Sequence, residues 1–362
     1  MISLLLLAVA PETRNFTIQA PESGAQARSR PQATLVDYVP GAVDCGGTQA
    51  RPVSTADPLT VGAMLSAGSA LSEIELRFRL TPDGRPVRIG SAERVGGGAY
   101  LDTQDLPAVL SLWRFAPAGR ERSCTIRFSA KPQPIAAAPI EAVYRFAALV
   151  RKGAIGEREA FARIRPNDCV GPGSPAMLLR AYPDYARLPP MPGAPAYSVV
   201  AFDIDAAGVP ANVGTLTGSG QGKLDEAGRD AVARSRFADG APRERCTLPF
   251  VQWPRPPVEA PESPDIDPLR PDGATCPKDI QWAVPPRGDY PAAFQRRGIE
   301  GWAIVRFDLA PGGRSGNATV IASEPAAIFG QRAQFALSGA RAEGIVSGLT
   351  GCVERVRFRM PA

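Results

Sequence analysis

Six cysteines are the chain's most regular chemical feature. Cys45, Cys124, Cys169, Cys246, Cys276 and Cys352 fall into successive pairs separated by 79, 77 and 76 residues. None has C-x-x-C spacing, so zinc binding through cysteines is not expected. The chain has no histidine, which removes His-based triads, Cys-His nucleophiles and every His-containing metal site. Acid–base chemistry by Asp, Glu, Lys or Tyr remains open in principle. Asp203, Asp205 and Asp308 fall near strand ends, where turn-flanking acids are ordinary, and form no paired-carboxylate pattern. "GSGQGK" (Gly218 to Lys223) departs from a phosphate loop: Leu224 replaces the needed Ser/Thr and Thr217 stands in place of the first glycine. No catalytic residue, metal ligand or cofactor site is expected, and the chain does not read as an enzyme.

The cysteine ruler extends to other residues. In "ELRFRLTPDGRPV", "VVAFDIDAAGVPA" and "IVRFDLAPGGRSG", Phe78, Phe202 and Phe307 come 33, 33 and 31 residues after the first cysteine of their pair. Gly84, Gly208 and Gly313 each follow their Phe by six, and the second cysteine comes 40, 38 and 39 residues later. A period of this size describes tandem small domains, since solenoid repeats are shorter. Alternation about the glycine turn predicts a β-hairpin. Leu106, Val109, Leu110 and Trp113, and likewise Phe329, Ala333, Ala336 and Leu337, have helical spacing. A final strand follows each second cysteine ("CTIRFSA", "CTLPFVQ", "CVERVRFRM"). The expected fold class is α+β: three tandem modules, each a small antiparallel sheet (strand, strand, helix, strand) packed against its helix. Six cysteines allow fifteen pairings. If each module closes on itself, the bonds are Cys45–Cys124, Cys169–Cys246 and Cys276–Cys352.

The domain boundaries follow. Residues 1–30 form a signal-like leader and flexible start, 31–135 repeat one, 136–165 a helical connector, 166–252 repeat two, 253–273 a proline-rich linker and 274–362 repeat three. The leader's apolar stretch from Ile2 ends in Ala8-Val9-Ala10, a secretory pattern with cleavage expected near Pro11. It is too short to span a bilayer, which takes about 20 residues. The connector carries Val143, Phe146, Ala147 and Val150 on one face, expected to cover the first or second sheet. The linker's prolines predict a stiff, extended spacer. Net charge is +5 without a Lys/Arg block, so the positive charge is expected on solvated faces and nucleic acid is not an expected partner.

Repeat three resembles the C-terminal domain of the TonB family of periplasmic energy transducers. The resemblance rests on Tyr290-Pro291, Gly298, Gly301, Phe307-Asp308-Leu309, Gly313 and Val320 to Pro325 with Ser323. Repeat two adds Ser219, Leu224-Asp225, Ala227 and Phe237; repeat one adds Leu101-Asp102, Trp113-Arg114-Phe115 and Pro117. Together these cover most of residues 70–128, 182–250 and 289–359. Repeat two departs from the family at "YPDYARLPPMPGAPAY", whose prolines forbid the family's first helix. Repeat one lacks the Tyr-Pro, and the cysteine pairs are an addition. The family's membrane-spanning helix has no match in the short leader.

The resemblance implies a periplasmic protein, secreted across the inner membrane and at most peripheral to it. Its partner would be an outer-membrane receptor or another envelope protein or peptide, taken up by strand addition in association with transmembrane transport. The alternatives are an envelope structural spacer and, less favoured, a carboxylate-based enzyme with its cleft between modules. In the last strand, Arg355, Arg357 and Arg359 alternate with Val356, Phe358 and Met360. Period two puts the arginines on one face and the apolar set on the other, under the helix carrying Phe329 and Leu337. The partner is expected at this strand's open edge. The arginines either meet an acidic segment there or act as gatekeepers that keep the edge soluble.

Overall fold

The computed structural model describes residues 30–99, 101–164, 169 and 173–361. The leader, with Ala8-Val9-Ala10, lies outside the described residues. The fold is mixed α+β, built on small antiparallel sheets. Among the described residues no helix is long and apolar enough to cross a membrane.

The first stretch runs β1 (Gln32–Asp44), β2 (Gln49–Ala50), β3 (Pro52–Ser54), β4 (Val61–Leu65), β5 (Glu73–Leu80), β6 (Pro86–Val87), β7 (Glu93–Val95), α1 (Asp105–Leu112), β8 (Arg114–Phe115) and β9 (Arg122–Pro134). A connector follows with α2 (Ile140–Leu149) and α3 (Glu157–Ile164). Next come β10 (Met177–Leu179), β11 (Ala196–Ile204), β12 (Pro210–Gly218), α4 (Gly222–Arg234), β13 (Arg236–Phe237) and β14 (Arg243–Gln252). The C-terminal stretch is β15 (Trp282–Val284), α5 (Ala292–Arg296), β16 (Gly301–Leu309), β17 (Ser315–Glu324), α6 (Ala327–Ser338), β18 (Arg341–Ala342) and β19 (Leu349–Phe358).

The two later sheets have the order β12-β11-β14 and β17-β16-β19, each with its helix laid across one face. A two-residue strand after each helix was not expected from sequence. β8, β13 and β18 pair with β3, β10 and β15 in small separate ladders. The turn glycines explain themselves here. Gly84, Gly208 and Gly313 have φ of 84°, 75° and 83°. A Cβ on them would lie 2.1, 2.1 and 2.0 Å from the carbonyl oxygens of Phe115, Phe237 and Ala342. The short strand's N–H donates back to each glycine's carbonyl at 2.8–2.9 Å. Only glycine tolerates both the left-handed backbone and that close approach.

The disulfides are Cys45–Cys124, Cys169–Cys246 and Cys276–Cys352. The second and third tie the segment before a sheet to its last strand, whereas the first joins the end of β1 to the neighbouring strand β9.

Three features differ from the sequence expectations. The first sheet is not a three-strand unit. It has seven strands in the order β2-β1-β9-β5-β6, with β4 on β1 and β7 on β5. β1, a thirteen-residue strand, lies along the outer edge of β9 from Thr34–Pro134 to Asp44–Thr125. The second strand of this hairpin is broken after Val87. Ile89 leaves its own sheet and bridges to Ala326: Ile89 N–H donates to Pro325 and Ala327 N–H to Ile89. Second, the proline-rich linker is extended but docked. Val258 N–H donates to Gly298 and Glu300 N–H to Val258. Trp302 Nε1 donates to Pro261 at 2.7 Å, and Ile266 and Leu269 cover Trp302, Ile304 and Val353 on the sheet face away from α6. That face is apolar, and burying it offsets part of the entropy lost in ordering the linker. Third, α2 serves two neighbours. Val143 and Phe146 pack with Leu35 and Ile135 of the first stretch, while the helix also lies against β11 and β14.

The first and C-terminal stretches share one continuous core, running from Phe128 and Leu106 through Phe294 to Phe329 and Phe358. The middle stretch keeps its own, around Phe202, Leu224 and Phe250.

Candidate functional site

The C-terminal sheet has two edge strands, β17 and β19, each paired with β16 alone, and the sequence expectation concerns β19. Tyr290-Pro291 starts the unit by anchoring α5. The Tyr290 hydroxyl donates to Ile299 at 2.8 Å, and its ring meets Phe329 and Phe358 edge-on at 6.2 and 5.7 Å. Burial raises the phenol's pKa further above its ordinary range. These residues hold the fold rather than face a ligand. β16 is the central strand and β19 pairs with it alone, from Gly301–Phe358 to Leu309–Leu349.

The hydrogen bonds along β19 set which backbone groups face outward. Met360 N–H donates to the Glu300 carboxylate at 3.0 Å, on the β16 side. Alternate residues of a strand direct their N–H groups to the same side, so Phe358, Val356 and Glu354 face β16. Arg355 and Arg357 then direct their N–H and C=O groups outward. Arg355 N–H accordingly donates to the neighbouring Glu354 carboxylate at 3.3 Å. Nearer the strand's start, Thr350 bonds outward to Thr275, while Gly351 N–H turns inward to Asp308. An irregularity opposite Phe307–Leu309 resets the alternation between them. The outward-facing edge therefore runs from Val353 to Arg357.

The structure separates the three arginines. Arg359 is held by Glu300 at 2.6 Å. Arg355, partly buried, bonds the Pro264 carbonyl of the docked linker. Arg357 is exposed. Opposite them, Phe358 packs on Phe329 beneath α6, with ring centroids 5.1 Å apart, and Val353 lies on the linker side. Burial raises the Glu354 pKa.

The carboxylates flagged in the sequence hold turns and bulges. Asp203 accepts from Asn212 Nδ2 at 2.7 Å and Arg245 N–H at 3.0 Å. Asp308 accepts from Asn317 Nδ2 at 2.9 Å and Gly351 N–H at 3.0 Å. Those side-chain amides, and secondarily the N–H groups, hold both carboxyls below their ordinary range. Asp205 caps its turn by accepting from Ala207 and Val209 N–H. In "GSGQGK", Lys223 pairs with Glu226 at 3.0 Å, and Ser219 exchanges bonds with Tyr197. Among the described residues no His/Cys/Asp/Glu cluster could hold a metal.

Sequence reasoning missed the joint at Arg297. This side chain is 1% exposed and forks onto Asp105 at 2.7 and 2.6 Å. It also donates to the Gly193 and Asp57 carbonyls at 3.1 and 2.9 Å. One C-terminal guanidinium thus binds the first stretch and the middle one together. The only local signal is the Arg296-Arg297 doublet before Gly298, and nothing nearby says which of the two turns inward.

Residues 286–345 match the family model of the Gram-negative bacterial TonB protein C-terminal. The match covers α5, β16, β17, α6 and β18 and stops before β19. No curated protein matches the chain.

Proposed function

We propose that this is a periplasmic, non-enzymatic binding protein of the cell envelope, whose C-terminal unit takes up an extended segment of an envelope protein along the outer edge of β19. The family match supports the envelope setting and the binding role. The family's partners make an outer-membrane receptor segment the first candidate, in association with transport. The apolar leader and three disulfides fit an oxidising compartment. The shared glycine turns, short ladders and cysteine pairs support reading the three stretches as divergent copies of one TonB-C-like module.

One observation carries the proposal. In the first stretch the last strand, β9, has β1 laid along its outer edge. β19 is the last strand of the C-terminal unit, and among the described residues no strand lies along its outer edge between Val353 and Arg357. Strand addition at this position is therefore an arrangement this chain already uses internally, and an incoming segment would occupy the place of β1. Main-chain bonds would supply affinity and side-chain pockets the choice. Arg357, exposed beside that edge, favours an acidic or polar segment whose binding weakens as salt rises. The spacer reading has less support, because the linker is docked and the units are packed together.

The test is Arg357→Pro. Its N–H points outward, so proline removes an edge donor and leaves the β16 ladder intact. The folded variant is expected to lose the envelope protein that wild type retains in pull-downs from envelope extract. Equal retention by both would place the site elsewhere.

A further inference from the structure

A cleft of about 790 Å³ opens beside Arg297, where the first stretch, the connector and the middle stretch meet. Its size is that of a small-molecule site. It is remote in sequence from β19, and none of its lining residues belongs to that strand.

The charges around it divide into paired and unpaired groups. Arg297 is taken up by Asp105, and Arg145 by Asp37 and Thr60. Arg296, Arg151 and Lys152 also line the cleft, and among the described residues their side chains form no hydrogen bond or ion pair. Arg296 is the informative one. It is half-buried at the end of α5, and its Nε is buried with no acceptor. Burial lowers its pKa, with Asp105 and Asp102 acting in the opposite direction. A buried donor left unmade costs free energy, so the position invites an acceptor from outside the chain.

Arg151 and Lys152 approach from the exposed turn after α2. The facing carboxylates are Asp57 and Asp102. Asp102 is engaged by Gln104 N–H, and neither closes an ion pair with the three cations. Ile155, 53% exposed, supplies an apolar wall beside these cations.

We propose that this cleft binds a small organic anion, its acid group held by Arg296, Arg151 and Lys152 and its apolar body lying against Ile155. Either a carboxylate or a phosphate ester satisfies that chemistry, since both present acceptor oxygens to guanidinium.

The probe is anilinonaphthalene sulfonate, an aromatic anion whose fluorescence rises on binding, titrated into the full chain beside its uncharged parent, N-phenylnaphthylamine. Saturable binding at one site per chain is expected, weakening with salt. Arg296→Gln should weaken it ~tenfold or more, the worth of a hydrogen bond to a charged group. The double variant Arg151→Gln/Lys152→Gln acts from the other wall and, being exposed, should melt like wild type and also bind more weakly. If Arg296→Gln does not fold, the double variant decides alone. Arg357→Gln should bind the sulfonate normally, which separates this site from the β19 edge. Unchanged affinity in the cleft variants, or equal binding of the uncharged parent, would overturn the proposal.

Discussion

At the scale of single residues, backbone geometry explains more than side-chain chemistry. Gly313 sits at φ 83° with the Ala342 carbonyl 2.0 Å from where a Cβ would stand. Its neighbour Gly312 has φ 87° but open space around it. Gly313→Ala is expected to cost about 3 kcal/mol, from left-handed strain plus a displaced carbonyl. Gly312→Ala should cost about 1 kcal/mol, from the strain alone. Urea unfolding of both variants measures the difference, and equal losses would contradict the close approach. Asp203 and Asp308 carry a pH effect of definite sign. Both carboxyls lie below their ordinary 3.8 when folded. The unfolded chain therefore binds more protons as pH falls through that value. The stability they contribute is complete above 3.8 and is lost as pH drops through the depressed folded values. An Asp203→Asn/Asp308→Asn variant should show a shallower acid-unfolding slope below pH ~4 than wild type.

At the scale of elements, the three last strands show three ways of finishing a sheet. β9 is extended by β1, β14 has α2 packed nearby, and β19 is open from Val353 to Arg357. An open edge is a hazard unless it is guarded or used, and Arg357 lies exposed beside this one. The docked linker is the C-terminal sheet's second cover. Trp302 is 5% exposed and donates to Pro261. Trp302→Phe keeps most of the apolar burial but leaves the Pro261 carbonyl unmet. A loss of about 1 kcal/mol is expected, together with faster proteolysis within residues 258–270. Unchanged proteolysis would mean that the linker is held by its apolar contacts and backbone bonds alone.

At the scale of the molecule, the decisive contact is the buried pair Arg297–Asp105. Leu59 N–H also donates to Asp105, at 2.8 Å, so the carboxylate organises the first stretch as well as the joint. Asp105→Ala would strand a buried guanidinium and should cost about 3–5 kcal/mol. The apolar double variant Asp105→Leu/Arg297→Met should recover most of that loss, because it removes both buried charges. Calorimetry of the single and double variants tests this. Full recovery would mean the pair adds specificity rather than stability. No recovery would show that the bonds to Gly193 and Asp57 carry the joint.

The sequence by itself determined the local framework. The spacing of Cys, Phe and Gly sets the hairpins, the helices and the cysteine pairs, because turn geometry and side-chain periodicity are short-range constraints. Leu106, Val109 and Leu110 are buried as their helical spacing requires, and Phe358 lies under α6 as the alternation in "CVERVRFRM" requires. Only the tertiary structure decided how these elements meet. The strand character of β1 was obscured by Pro40-Gly41, and its place beside β9 follows from which edge was open, not from its own residues. The linker's prolines specify extension but not the sheet face that receives it. Arg296 and Arg297 are adjacent in sequence, yet one is sealed against Asp105 and the other is left facing a cleft. Their roles depend on a carboxylate nearly two hundred residues away, a distance at which no local pattern constrains the pairing.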